Sequence, residues 1–426
     1  MSQSTITLII IAATCLLYII EKLPVALVTV LGMLAMIFSG ATTSRTAFSN
    51  FGSTPVLLTF GMIVIINAII DSGAIVQFEH VLQRMTRRGE KLFLVLVFLS
   101  AGIISMFTNN SALVAMFMPF IASTARSSGG KIQKKHLYLP LAMGGLIGGT
   151  GSLAGSTAPL LANDVLAMSG ARTMQFFTPL PIAAAMVIVV ALCYWFFLYD
   201  LQKKWFDFPE EPAPIENDIE EIPLNKRHAA VCISVFAVCI VLFVLQPFGW
   251  SLGLISVTGA AVLVLAGCVD GKHALKHMQW SALVTLGAAL AIARGFVESG
   301  VGEIIMEKLT AGLGTWVESP ILLVTLFMMT GFILSQFMAN GALVSMMAAI
   351  AVPMAMEIGM DPMPVALACV FGCSLAMATP VATTTITMVQ VAGYRFKDYL
   401  RAGGLTSLIA LVTAWVAIVV QYRLII

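Results

Sequence analysis

Apolar runs of about 15–20 residues, separated by short polar stretches, follow one another along the whole chain. The plainest lie at 6–20, 24–38, 55–70, 181–199, 229–245, 252–266, 282–293 and 405–420. Runs of this length suit helices that cross a hydrocarbon core about 30 Å thick. They are too long and too uniformly apolar for the alternating ten-residue segments of a membrane barrel, and open strands would leave their backbone unsatisfied in lipid. The pattern therefore predicts an all-α polytopic membrane protein. Four regions break it. Residues 92–124 and 321–356 are apolar but interrupted midway by polar residues, and 137–168 and 364–391 are broken by Gly, Ser, Thr and Pro. Such breaks are tolerated at membrane depth only where protein or water satisfies the freed backbone.

Sliding the chain against itself by about 230 residues reveals a repeat. Thr59-Phe60-Gly61 matches Thr285-Leu286-Gly287, and Asp71-Ser72-Gly73 matches Glu298-Ser299-Gly300. The run from Phe107 to Met116 matches that from Phe337 to Met346 at six of ten positions, Asn110 and Asn340 among them, and Gly170-x-Arg172 then matches Gly393-x-Arg395. The halves are 1–200 and 228–426, joined by 201–227, whose acidic residues and prolines mark a solvated linker. Each half holds three spans, a polar-tipped hairpin read as re-entrant, a broken span and a final span. Five crossings per half force the second half to enter from the opposite side, giving two inverted five-span repeats. Of the 23 basic residues, this arrangement puts eighteen on one face and four on the other, with Arg294 inside a span. That imbalance makes the rich face, including 131–136 and the linker, cytoplasmic and both termini extracytoplasmic in a multi-pass inner (plasma) membrane protein.

Composition narrows the function. The chain is 59% hydrophobic and 10% charged, where soluble domains have about 45–50% and about 25%, so a soluble enzyme is excluded. Apart from Asp164 and Arg294 the spans are nearly free of ionisable groups, and there is no phosphate-binding loop or catalytic triad. That argues against an intramembrane enzyme, and no nucleic-acid partner is expected. The seven cysteines lack a CxxC spacing and read as small core residues. The first apolar run has no basic segment ahead of it and no small-residue cleavage site behind it, so it is expected to stay as a span.

Inverted repeats with broken helices are the build of secondary transporters, whose half-helix N-termini meet anions and whose freed carbonyls meet cations near the midplane. The elements in question are Thr108-Asn109-Asn110-Ser111 at the first tip, 148–159 with Gly151, Ser152, Ser156 and Thr157 in the first broken span, Asn340-Gly341 at the second tip, and Thr379 to Thr385 in the second broken span. Asn amides both donate and accept, and hydroxyls can face a cation or an oxyanion. Asn110 and Asn340 occupy one repeat position and are expected to meet near the midplane. Asp164 is the one acidic residue placed near this site, with a capping or a coupling role open to it; Arg294 reads as snorkelling to the outer interface or as facing an anion. His273 and His277, spaced i,i+4, read as loop residues for want of a third ligand.

The first tip followed by ALVAMFMP (112–119) and the run Pro380-Val381-Ala382-Thr383 resemble the divalent anion:sodium symporter family of the ion transporter superfamily. The layout is similar over nearly the whole chain, the letters in four short motifs. The family's Ser-Asn-Thr tips fall on Asn109, Asn110 and Ser111 and on Ala339, Asn340 and Gly341, so the second tip lacks both hydroxyls; Thr384-Thr385 stand where the family has Pro-Pro, and Ser156-Thr157-Ala158-Pro159 replace Thr-Pro-Pro-Asn. The resemblance implies a homodimer and an elevator-type secondary transporter with two sodium sites beside one anion site. Sodium would be the coupling ion, held by Asn109, Asn110, Gly151, Ser152, Asn340 and Thr379. The substrate, a small anion such as a di- or tricarboxylate or sulfate, would meet Asn110, Ser111, Ser156, Thr157, Asn340, Gly341, Thr383 and Thr384. Proton coupling stays open, as do a cation/proton antiporter, a metalloid oxyanion permease of the same superfamily, and a channel.

Overall fold

The computed structural model describes residues 3–20, 22–74, 89–209, 225–276, 278–299, 319–336, 340–379 and 383–424. Most of the linker, Ala339, the Pro380-Val381-Ala382 run, His277 and the whole of 303–318 lie outside these residues. Among the described residues every regular element is helical. In the first half these are α1 (Gln3–Ile20), α2 (Val25–Phe38), α3 (Ser44–Ser49), α4 (Thr54–Asp71), α5 (Glu90–Ser105), α6 (Asn110–Ser127), α7 (Lys134–Gly149), α8 (Thr157–Met168) and α9 (Leu180–Trp205). In the second they are α10 (Lys226–Leu245), α11 (Leu252–Leu265), α12 (Gly271–Lys276), α13 (Trp280–Glu298), α14 (Pro320–Ser335), α15 (Asn340–Glu357), α16 (Met363–Ser374), α17 (Thr384–Met388) and α18 (Phe396–Gln421). Helix bounds recur at the spacing of the duplicated motif: α5 and α14 both start 20 residues before α6 and α15, respectively, and end at Ser105 and Ser335. Even the single π-turn recurs, at Tyr194–Leu198 in α9 and at Tyr399–Gly403 in α18.

Among the described residues four helical stretches are long and apolar enough to cross a membrane unaided: Ser44–Asp71, Leu180–Trp205, Lys226–Leu245 and Phe396–Gln421. The arms of the interrupted regions are shorter. At 1.5 Å per residue the 16 residues of α5 and of α14 span about 24 Å, less than the about 30 Å core. Apolar side chains left exposed, among them Val231, Val238, Val241 and Leu245 of α10 and Leu254 and Val262 of α11, form the surface that lipid solvates.

Packing sorts the helices into two bodies. In the first, α4 lies along α11 and α2 along α13, with α1 and α10 outside. In the second, α5 lies along α7 and α14 along α16, with α9 against α18. These contacts are close because the sequence places glycine at the crossings. A Cβ on Gly61 would lie 2.4 Å from the Ser256 backbone of α11, and one on Gly148 would lie 2.0 Å from the Gly102 carbonyl of α5. Small residues at such crossings let helices associate where lipid removes the hydrophobic drive. The bodies meet unevenly. Helix α13 packs on α8 and on α15, whereas its counterpart α4 touches α8 lightly and stands apart from the first hairpin across a cavity.

Candidate functional site

The first hairpin tip is held by its own asparagines and by Ser105. The carboxamide oxygen of Asn109 caps α6, accepting from the backbone N–H of Ser111 at 2.9 Å and of Ala112 at 3.4 Å. The Ser105 hydroxyl at the end of α5 donates to the Asn110 Oδ1 at 2.6 Å, closing the tip. Gly149 makes room for that amide, since a Cβ there would lie 2.3 Å from Asn110 Oδ1. Beyond Gly149 the first broken span leaves the helix, turning at Gly151, whose N–H donates to the Gly148 carbonyl at 2.8 Å. The Ser152 hydroxyl donates to the Met106 carbonyl and accepts from the N–H of Ala154 at 3.0 Å and of Gly155 at 3.3 Å. Freed polar groups of the hairpin and the broken span thus satisfy one another.

The second half repeats this with different residues. The Thr379 hydroxyl donates to the Gln336 carbonyl at 2.7 Å, the place that Ser152 and Met106 take in the first half, and Gln336 Oε1 accepts from Ala378 N–H at 3.1 Å. Asn340 opens α15, and its Oδ1 is buried with no partner. Thr383 caps α17, accepting from Ile386 N–H at 3.3 Å.

The halves then join crosswise. The Ser111 hydroxyl of the first tip lies 2.9 Å from that of Thr384 and 3.1 Å from that of Thr385, in the second broken span. Gly341 of the second tip faces Thr157 of the first broken span, where a Cβ would sit 3.0 Å from the Thr157 Oγ1. Helices α6, α8, α15 and the short α17 therefore begin close together and bring the positive ends of their dipoles to one place, with part of the first N–H groups of α6 and α17 taken up by their caps. An anion is the ligand such a meeting of helix starts favours. Beside it Ser156 Oγ, at the N-cap of α8, is buried without a partner.

The cavity between α4 and the first hairpin opens onto this meeting point, lined by Thr59 and Asn67 of α4, Gln279, Thr108, Asn109, Ser156 and Thr157. Thr59 stood out in the sequence only as part of a repeat, and Asn67 and Gln279 not at all; a lone amide in an apolar helix carries no pattern. Among the described residues no hydrogen bond joins Asn110 to Asn340; Asn110 is engaged by Ser105 instead. Arg294, near the end of α13, is half-buried. Its Nε is buried without a partner, as is Asp164 Oδ2 on α8, the carboxylate on which its charge acts. His273 lies 3.6 Å from the Asp71 carboxylate.

Comparisons with known proteins agree with this architecture. A transporter of Methanocaldococcus jannaschii without an assigned substrate is 24% identical over 322 residues, covering 74% of this chain and 70% of its own. The sodium-dependent dicarboxylate transporter SdcS of Staphylococcus aureus is 21% identical over 400 residues, covering 86% of this chain and 76% of its own. Among solved structures, the YdaH transporter of Alcanivorax borkumensis superposes with a TM-score of 0.61 at 15% identity, over 89% of this chain and 88% of that one. The antimetabolite efflux pump MtrF of Neisseria gonorrhoeae gives a TM-score of 0.51 at 15% identity, over 99% of this chain and 95% of that one. These two likenesses show a shared multi-span helical fold. The profile of the citrate transporter family, CitMHS, matches residues 15–372. A membrane transporter rather than an enzyme, the chain belongs to the citrate transporter family.

Proposed function

We propose that the protein moves a small carboxylate-bearing anion, of the di- or tricarboxylate class, together with sodium, by an elevator-like movement of one helical body against the other. The observation that carries this reading is the crosswise meeting of two hairpin tips with two broken spans, which gathers helix N-termini for an anion and hydroxyls, amides and freed carbonyls for a cation. The SdcS relative is sodium-dependent and carries dicarboxylates, which supports the same choice of ion and substrate. In this reading the halves are inverted repeats; α1–α4 and α10–α13 form a scaffold, through which two copies would pair as a homodimer, and α5–α9 and α14–α18 form the moving body. Anion contacts come from Ser111, Ser156, Thr157, Asn340, Gly341, Thr383 and Thr384. Sodium is held around Asn109, Asn110, Gly151 and Ser152 on one side and around Asn340 and Thr379 on the other.

The uneven packing of the bodies supports an assignment of state within this reading. The cavity lies on the side of the first hairpin, whose flanking segment 131–136 carries the basic residues expected on the cytoplasmic face. In this reading the conformation is open inward and closed outward, where α13 meets α8 and α15. Uptake of labelled citrate, succinate and sulfate into liposomes tests the function. An inward sodium gradient is expected to drive accumulation of at least one carboxylate. Accumulation driven by a proton gradient alone would overturn sodium coupling, and no accumulation of either carboxylate under any gradient would overturn the substrate class.

A further inference from the structure

The duplicated halves are not equivalent where the two bodies touch, and the difference is one of charge. On the closed side α13 packs against α8 and α15. Arg294 lies on α13 and Asp164 on α8, each with a polar atom buried and without a hydrogen-bond partner, and no ion pair shorter than 4.0 Å joins them among the described residues. Arg294 is the cation whose field reaches this carboxylate. The offset of 227 that aligns Asp71 with Glu298 puts Asn67 at the place of Arg294, and that of 226 from Thr59 and Thr285 puts Ala68 there; the offset of 227 from Thr157 and Thr384 puts Val391 at the place of Asp164. The charged pair therefore has an uncharged counterpart. Asn67 lines the open cavity and Val391 is 71% exposed, so these two do not meet in this state.

We infer that Asp164 and Arg294 are positioning residues for transport, forming an electrostatic latch between moving body and scaffold that exists only while the outward side is closed. The inference rests on the two-body reading above. Moving the body outward must separate α8 and α15 from α13 and bring the first hairpin onto α4, exchanging a facing carboxylate and guanidinium for a facing Asn67 and Val391. At membrane depth opposite charges attract far more strongly than in water, and each is costly to leave alone. The inward-open state is thus favoured over its mirror image by a term that the ligand does not touch. The latch acts on the populations of the two states and on turnover, not on recognition of the anion, because neither residue belongs to the tips or breaks.

Two cysteine reporters test it. Ala282→Cys lies in the open cavity, and Ala349→Cys on α15 is buried against α13 and α2 in this state. Each is labelled with a hydrophilic maleimide in the purified protein, over the background of the parent chain. In Asp164→Asn and in Arg294→Gln, labelling is expected to fall at 282 and to rise at 349 by a factor of about 5 or more, the low end of coupling between sites in two-state proteins. Arg294→Lys, which keeps the charge, is expected to restore parental rates, and turnover should change while KM for the transported anion does not. Parental rates at both reporters in both neutral variants would overturn the latch and leave the two-body reading standing. A change at 282 without the reciprocal change at 349 would overturn the two-body reading, and the latch with it. A change in KM without any change in labelling would make these residues part of the binding site instead.

Discussion

Asn340→Ala and Asn110→Ala are expected to part company although the two residues hold one position in the repeat. The Asn110 oxygen is engaged by the Ser105 hydroxyl at 2.6 Å. Ser105 is fully buried, so truncating Asn110 orphans a donor, at a cost of about 1–3 kcal/mol in stability. The Asn340 oxygen is buried with no protein partner. Removing it costs the unliganded fold nothing of that kind, and the same about 1–3 kcal/mol is lost from the bound ion or anion instead, or roughly 5- to 150-fold in apparent affinity at about 1.4 kcal/mol per tenfold. Thermal unfolding in detergent together with sodium titration of uptake into liposomes reads both quantities. Asn110→Ala should unfold at a lower temperature, while Asn340→Ala should unfold near the parent and need more sodium or substrate. Leu113→Ala, at a side chain 1% exposed, serves as the control, destabilised by about 2–5 kcal/mol with its sodium dependence intact. Unchanged sodium and substrate dependence in Asn340→Ala, or equal destabilisation of the two Asn variants, would refute the division of labour between the tips.

Gly149→Ala puts a methyl group 2.3 Å from Asn110 Oδ1, so it is expected to displace the first tip and depress transport while Gly170→Ala, which meets nothing within 4 Å although its positive φ adds local strain, spares it. A cysteine at position 212, within the linker, should react with an impermeant reagent only after the cytoplasmic side is exposed; reaction in intact cells would sink the inverted-repeat arrangement. Cross-linking Ala112→Cys on the first hairpin to Met62→Cys on α4, which face each other across the cavity, should stop transport until the bond is reduced, and full turnover in the verified cross-link would count against movement of the two bodies.

The elements were legible in the sequence to the extent that a short pattern encodes them. Asn110 and Asn340 stand in a ten-residue motif that recurs, and the structure begins α6 and α15 at those two residues. The Gly-Ser-Thr runs mark where α7 and α8 separate, because no helix continues through residues that leave its backbone open to other partners. What joins the halves was not legible. Ser111 and Thr384 are 273 residues apart, and no local rule says that a tip binds the other half's broken span rather than its symmetry mate. Among the described residues no hydrogen bond joins Asn110 to Asn340, because the serine five residues before Asn110 donates to its amide oxygen. Arg294 reads from the sequence as snorkelling to the outer interface or as facing an anion; that α8, with Asp164 130 positions earlier, lies on α13 is beyond any local rule.

The crosswise bonds also set a timetable for synthesis. The ribosome adds about 5–20 residues per second, so the 273 residues between Ser111 and Thr384 take about 14–55 s to emerge. Throughout that interval the serine hydroxyl of the first tip lacks the threonines that later hold it. Nothing short of the nearly finished chain can complete this contact, and the first half has to wait until its partner arrives.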